Sequence, residues 1–362
     1  MKKLWKEITV GNMKLPHRLA MAPMTRSRAL TDGTPSDLSP EYYGQRASLG
    51  LIISEGTQPS EDGQGYLNTP GIYTKGHIQG WKKVSDRVHQ EGGHLFIQLM
   101  HVGRISHPDN TPHHRQAVAP SAVAPGEQIF TADGQKDVPV PRELRTEEIK
   151  DIVDEFRKAA AAAIAAGADG VEVHGANGYL IHQFLGENSN VRTDEYGGSV
   201  ENRARIAIEV TKAVVDEIGA DKVGFRISPG APLGGVKEGV HLDQVYEYLV
   251  SELDKLGLAY LHMMHVGNEN LLRKIRSIWS NPLLVNRAGR QVEDISVDVD
   301  NNIADMAPIG AWALANPDIV ERLKQGAPLN EPDRSTFYGG DGKGYIDYPL
   351  MDQKLKRGRI LQ

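Results

Sequence analysis

The chain has 362 residues, 40% of them hydrophobic and 24% charged, with a formal net charge of −6. That is enough apolar material for a large core, and the acidic balance argues against nucleic acid as a partner. The absence of cysteine excludes disulfides, thiolate nucleophiles, cysteine-ligated iron–sulfur clusters and zinc–thiolate sites. No signal-peptide pattern and no membrane-length apolar run is present, which predicts a soluble cytoplasmic protein with no membrane partner. The one basic run, Lys354-Leu-Lys-Arg-Gly-Arg359, is read as a solvated end or a small oligomer contact, with monomer and homodimer both open.

In chain order, strand candidates fall at residues 19–24, 49–56, 95–100, 170–173, 223–228, 258–264, 282–286 and 303–309. Several are apolar throughout, as expected of parallel strands covered on both faces. Helical patterns lie between them: a short one near Pro40, then 77–90, 147–166, 200–218, 242–256 and 317–324. Thr146 is placed as the N-cap of the third, ahead of an acidic first turn. Eight such units predict an α/β fold, a single (β/α)8 TIM barrel over residues 1–362. A doubly wound open sheet is the alternative, but no Gly-x-Gly-x-x-Gly follows the first strand. One connection is out of proportion. Residues 104–145 hold many prolines, no good helix, and a hairpin-like stretch turning at Asp133-Gly134. A loop this long is usually functional, so it is read as a capping insertion after strand 3.

Barrel chemistry gathers where the strands end. Those ends hold Thr25, Gly56, Gln98 with His101, His174 with Asn177, and Arg226. His174, Asn177 and Tyr179 put a ring N–H, an amide and a phenol within six residues, enough to grip one oxygen and deliver a proton beside it. His182 is read as a satisfied core histidine. The set offers neutral donors, one fixed cation and no carboxylate pair, so paired-acid hydrolysis lacks its parts and no metal is expected. It suits a flat heteroaromatic cofactor: Gln98 would pair with an amide edge and Arg226 would stabilise negative charge on a reduced ring. The loop Asn286-Arg-Ala-Gly-Arg290 stands where barrels often hold a phosphate.

Met21-Ala-Pro-Met-Thr-Arg26, Gln98-Leu-Met-His-Val-Gly-Arg104, the stretch from His174 to Phe184, that from Arg192 to Arg203, Ala315-Asn-Pro-Asp318 and Phe337-Tyr-Gly-Gly340 together resemble the old yellow enzyme family. The resemblance runs to about Pro349. It implies bound FMN, reduction by NADPH or NADH, and a small electron-poor alkene as substrate: an enone, enal, nitroalkene or maleimide. By the same resemblance Pro23, Met24, Thr25 and Gly56 approach the flavin, Gln98 holds its pyrimidine edge and Arg226 its N1/O2 side. His174 and Asn177 hold the substrate's carbonyl or nitro oxygen, Tyr179 protonates the α-carbon, and Tyr66 and Tyr338 line the substrate pocket.

The chain departs from the family at three places. Gly310-Ala-Trp312 carries alanine where the family usually has the arginine that binds the FMN phosphate. Arg287 or Arg290, flanking Gly289, is expected to supply that charge. Met100 stands where many relatives carry tryptophan near the substrate, which reshapes the pocket or simply fills the core. The iron–sulfur branch of the family is excluded by the missing cysteines. Two other readings stand beside an ene reductase: a barrel lyase or isomerase on a phosphorylated substrate, and a non-catalytic flavin-binding protein.

Overall fold

In the computed structural model, which describes residues 2–287 and 289–351, eight parallel strands share one sheet. The basic run 354–359 lies outside the described residues, as does Ala288 in the strand-seven loop. The strands are β1 (Leu19–Met21), β2 (Leu51–Ile53), β3 (His94–Leu99), β4 (Gly170–His174), β5 (Val223–Ile227), β6 (Tyr260–His265), β7 (Leu283–Arg287) and β8 (Ala307–Ile309). Each pairs with its successor in the chain as far as β7, and β8 returns to β1 in the register Ile309↔Met21. A parallel bridge Leu284↔Met306 joins β7 to the approach of β8 and closes the ring. The result is a (β/α)8 barrel, not an open sheet.

Ten helices accompany the strands: α1 (Ser39–Gly44), α2 (Lys75–Gln90), α3 (Thr146–Ala165), α4 (Leu180–Leu185), α5 (Val200–Ile218), α6 (Leu242–Asp254), α7 (Glu269–Ile278), α8 (Val297–Asp300), α9 (Ala311–Ala315) and α10 (Ile319–Gln325), among the described residues. None of these is long and apolar enough to cross a membrane. The sequence reading missed α7, whose charged segment buries only Leu271, Leu272 and Ile275. Its start is fixed by Asn268, whose side-chain oxygen accepts from the Leu271 amide at 3.0 Å. Thr146 is not a cap. Arg145 occupies that position, Glu148 accepts from its backbone N–H at 2.7 Å, and the Thr146 hydroxyl donates to Asp194 at 2.6 Å. The hydroxyl oxygen accepts from the Arg192 guanidinium at 3.2 Å and not from a backbone amide of the first turn, as a cap would.

The strands alternate more than the sequence suggested. Leu95, Ile97, Leu99, Val171, Val173, Val223, Phe225 and Ile227 face outward into the large core beneath the helices. Ala20, Leu51, Ile53, Phe96, Tyr260 and Leu284 face inward, packed with Val10 and Leu15. Those last two come from an N-terminal hairpin (Ile8–Val10 and Met13–Leu15) that plugs the barrel floor. With the floor filled by apolar groups, the inward positions nearer the strand ends, Gln98, Glu172, His174, Arg226 and His262, form a polar layer under the mouth.

Within residues 104–145, Gln128–Thr131 pairs antiparallel with Gly134–Asp137 as a hairpin. The segment is tied down by Arg104, whose guanidinium donates to the Val123 carbonyl at 3.0 Å and to those of Gly234 and Gly235 at 3.1 Å. Arg104 is therefore a latch between this segment and the loop after β5.

Candidate active site

β4 ends at His174, and the chain then turns sharply. Asn177 adopts φ +58° and Gly178 φ +82°, left-handed conformations that asparagine and glycine tolerate. A Cβ on Gly178 would stand 2.5 Å from the Leu233 carbonyl and 2.6 Å from the Gly234 Cα, so only glycine lets this turn abut the loop after β5. The Asn177 backbone N–H donates to Ser228 Oγ at 2.8 Å, which fixes the turn, and its Oδ1 is buried without a hydrogen-bond partner among the described residues.

The His174 ring is fixed too. Its Nδ1 accepts from the Ala176 amide at 3.3 Å, so the neutral ring carries its proton on Nε2. Burial first, and the Arg226 charge second, hold its pKa well below the ordinary 6.5, so the imidazole stays neutral. Tyr179 stands edge-on to it, with ring centroids 5.1 Å apart. The Tyr179 hydroxyl meets that of Tyr66 at 3.1 Å, and burial raises its pKa, which keeps the phenol protonated at neutral pH. His182, as read from sequence, is a framework residue: its Nδ1 accepts from Gly178 at 2.8 Å and its Nε2 meets Glu238 at 2.9 Å.

Beneath this turn lies a group that the sequence reading missed. Glu172, fully buried in β4, accepts from Gln98 Nε2 at 2.7 Å and from His262 Nδ1 at 2.9 Å. Burial pushes this carboxyl up, but His262, Arg226 and Gln98 outweigh it and hold its pKa below the usual value. The mouth therefore has a buried carboxylate, contrary to the expectation of neutral donors around one cation. The available signal was a charged residue inside an otherwise apolar strand, which needs buried partners. Among the described residues, Arg226 Nε and His262 Nε2 are buried with no hydrogen-bond partner.

Two cavities flank these residues. One of about 450 Å³ is lined by Thr25, Tyr66, Tyr179 and Tyr338 together with Ile129 and Phe130 of the hairpin. The other, about 420 Å³, is lined by Arg287, Gly289, Arg290, Gly310, Ala311 and Arg334. Met100 lines neither; it is buried with Val102 and Ile105 beside Tyr66 and Tyr179. Its sulfur would stand 2.4 Å from a Cβ on Gly56, so Gly56 is the small residue that admits it. Pro23 and Met24 are half-buried after β1, Met24 reaching toward Gly310. The two arginines expected at the phosphate are already paired. Arg287 bonds both oxygens of Asp298, at 2.7 and 3.0 Å, and also Glu269, while Arg290 meets Asp298 at 2.8 Å. Arg334, which the sequence reading passed over, forms no ion pair among the described residues.

Orphaned buried polar atoms mark a mouth shaped for a polar ligand, since such atoms ordinarily find partners. A closed β/α barrel that carries a neutral imidazole, an amide, a phenol and a buried arginine at its strand ends has the donors to hold a polar ligand there. Comparison with known proteins makes the class specific. The NADH:flavin oxidoreductase / NADH oxidase family matches residues 3–330. A probable flavin mononucleotide-dependent alkene reductase of Leishmania infantum is 42% identical over 357 residues, 96% of this chain and 97% of that protein. 12-Oxophytodienoate reductase 1 of Oryza sativa subsp. japonica is 40% identical, covering 95% and 92%. Morphinone reductase in complex with tetrahydroNAD superposes with a TM-score of 0.93 at 43% identity, over 97% of this chain and 98% of that one. The old yellow enzyme homologue from Zymomonas mobilis gives 0.93 at 38% identity, over 96% and 100%. The chain belongs to the NADH:flavin oxidoreductase family and, within it, is an oxidoreductase of the old yellow enzyme type.

Proposed function

We propose that this barrel is an FMN-dependent ene reductase, taking electrons from NADPH or NADH and passing them to an alkene conjugated to a carbonyl, nitro or imide group. The donor set fits FMN: Gln98 and Arg226 match the polar edge of its ring, and the cavity at the ends of β7 and β8 matches its phosphate. There Arg290, with a single carboxylate partner, and Arg334, with none among the described residues, are the arginines able to turn to the phosphate. Arg287, held by both Asp298 and Glu269, keeps the loop in place. Pro23, Met24, Thr25, Gly56, Gly289 and Gly310 bring backbone or small side chains to the cofactor, and Tyr338 borders it. Bound flavin supplies hydride transfer.

The chain's own residues do the rest. His174 donates through Nε2–H and Asn177 through its amide to one substrate oxygen, drawing electron density from the conjugated bond. Each such bond contributes about 2–4 kcal/mol where charge develops. Tyr179 delivers a proton to the α-carbon, and Tyr66 holds its hydroxyl in place. Nicotinamide and alkene use the same cavity in turn, giving ping-pong kinetics. The hairpin within residues 104–145 forms one wall of that cavity through Ile129 and Phe130.

The observation that carries this reading is the His174 ring, fixed neutral with its proton on Nε2 and set edge-on to the Tyr179 phenol, three residues before the left-handed turn at Asn177. Anaerobic NADPH oxidation with N-ethylmaleimide or 2-cyclohexenone tests it. Alkene-dependent turnover that falls about 100-fold or more in a His174→Ala, Asn177→Gly double variant is expected. Turnover that needs no alkene, or that survives the double variant, contradicts it.

A further inference from the structure

The polar layer under the mouth contains one ionised group with no part in gripping substrate. Glu172 lies in the middle of β4, level with Gln98 on β3 and Gly224 on β5, and Arg226 on β5 is level with His262 on β6. These four strands are consecutive neighbours, so the Glu172 carboxylate sits at the centre of a row running from Gln98 to His262. Both its oxygens are engaged, one by Gln98 Nε2 at 2.7 Å and the other by His262 Nδ1 at 2.9 Å.

A carboxylate only accepts hydrogen bonds. Gln98 must therefore turn its NH2 toward Glu172, which leaves its amide oxygen for a ligand N–H. The Gln98 backbone N–H donates to Ser54 Oγ at 3.0 Å, which holds the Cα from which that side chain reaches Glu172. Arg226, whose guanidinium is buried without a carboxylate in hydrogen-bond range among the described residues, has Glu172 as its compensating charge.

We propose that Glu172 is a positioning residue that fixes the orientation of the Gln98 amide and sets the charge felt by the flavin ring, and so sets the flavin's reduction potential. The inference rests on the flavin reading above. Two-electron reduction with uptake of one proton at N5 leaves the ring with one more negative charge, on its N1/O2 edge, the edge assigned to Arg226. Arg226 favours that charge and Glu172 opposes it; their difference is the field the ring experiences in a low-dielectric interior. Neutralising Glu172 leaves Arg226 less opposed and makes reduction easier.

The test is the midpoint potential of the FMN-loaded protein by dye-coupled anaerobic titration, together with sulfite affinity, because sulfite adds to N5 and leaves the same negative charge on the ring. Glu172→Gln keeps volume and one acceptor for Gln98. Its potential should rise and its sulfite dissociation constant should fall about tenfold or more. Glu172→Asp keeps the charge and should stay near wild type on both. An unchanged or lowered potential in flavin-loaded, folded Glu172→Gln overturns the proposal, as does a Glu172→Asp variant that shifts like the glutamine one. If Glu172→Gln does not fold, Glu172→Asp still decides: a potential shifted upward with its charge intact contradicts the proposal. Wild-type protein that binds no flavin overturns the flavin reading itself, and this inference with it.

Discussion

At the scale of single residues, Asn177 separates chemistry from backbone. Its φ of +58° costs asparagine little but strains alanine, whereas glycine adopts it freely. Asn177→Gly and Asn177→Ala should therefore lose turnover equally, while the alanine variant is less stable by about 1 kcal/mol in urea unfolding. Equal stabilities would mean that the turn relaxes and does not hold the amide. Tyr179→Phe should leave reduction by NADPH unchanged and slow the alkene-dependent step about 100-fold or more, as expected of a lost general acid. Stopped-flow traces of the two half-reactions separate these outcomes.

His101 gives a pH prediction with a definite sign. It is buried, its Nδ1 accepts from Gly103 at 3.1 Å, and burial lowers its pKa from 6.5 to about 4. The native ring stays neutral while the unfolded chain takes up a proton below pH 6.5. Its stabilising contribution is thus complete above that pH and is lost as pH falls toward 4, by about 3 kcal/mol. His101→Asn keeps the acceptor and removes the titration, so its urea stability should fall less between pH 7 and 4 than that of wild type. Parallel slopes would contradict the assignment.

At the scale of elements, the Arg104 latch is the point to test. Arg104 holds three carbonyls, one in the cap segment and two in the loop after β5. Arg104→Met keeps the side-chain bulk and removes the donors, and should destabilise the protein by about 2–3 kcal/mol. It should also speed hydrogen exchange at residues 121–125 ahead of the barrel strands. Uniform exchange changes would show that the segment is not separately held. Elements were legible in the sequence where a period ran long enough, as in α3 and α5. α7 was missed because its charged residues outnumber the three it buries, and Thr146 was misplaced as a cap because its hydroxyl accepts from Arg192 and donates to Asp194, both distant in sequence. Neither Arg104's partners nor Glu172's can be read from spacing: both bind groups that only barrel closure brings near.

At the scale of the molecule, the barrel was legible because eight buried strands recur at β/α spacing. The end of β4 was legible because its three donors are adjacent in sequence. The phosphate end was only half legible. A loop with two arginines could be seen, but not that Asp298 and Glu269 already engage them, nor that Arg334 would line the same cavity. Fluorescence titration of apoprotein should therefore show FMN bound more tightly than riboflavin. Arg290→Ala and Arg334→Ala should each narrow that gap by about tenfold, whereas Arg287→Ala should act mainly through loop stability. An unchanged gap in both of the first two variants would remove the phosphate from this cavity.

The claim on which everything else depends is that the mouth takes electrons from a nicotinamide and gives them to an alkene. An anaerobic visible-absorbance titration of the purified protein with NADPH, followed by 2-cyclohexenone, tests it directly. The flavin band should bleach stoichiometrically with NADPH and return on addition of the enone. Absence of a flavin band, or a bleached band that no activated alkene restores, would contradict it.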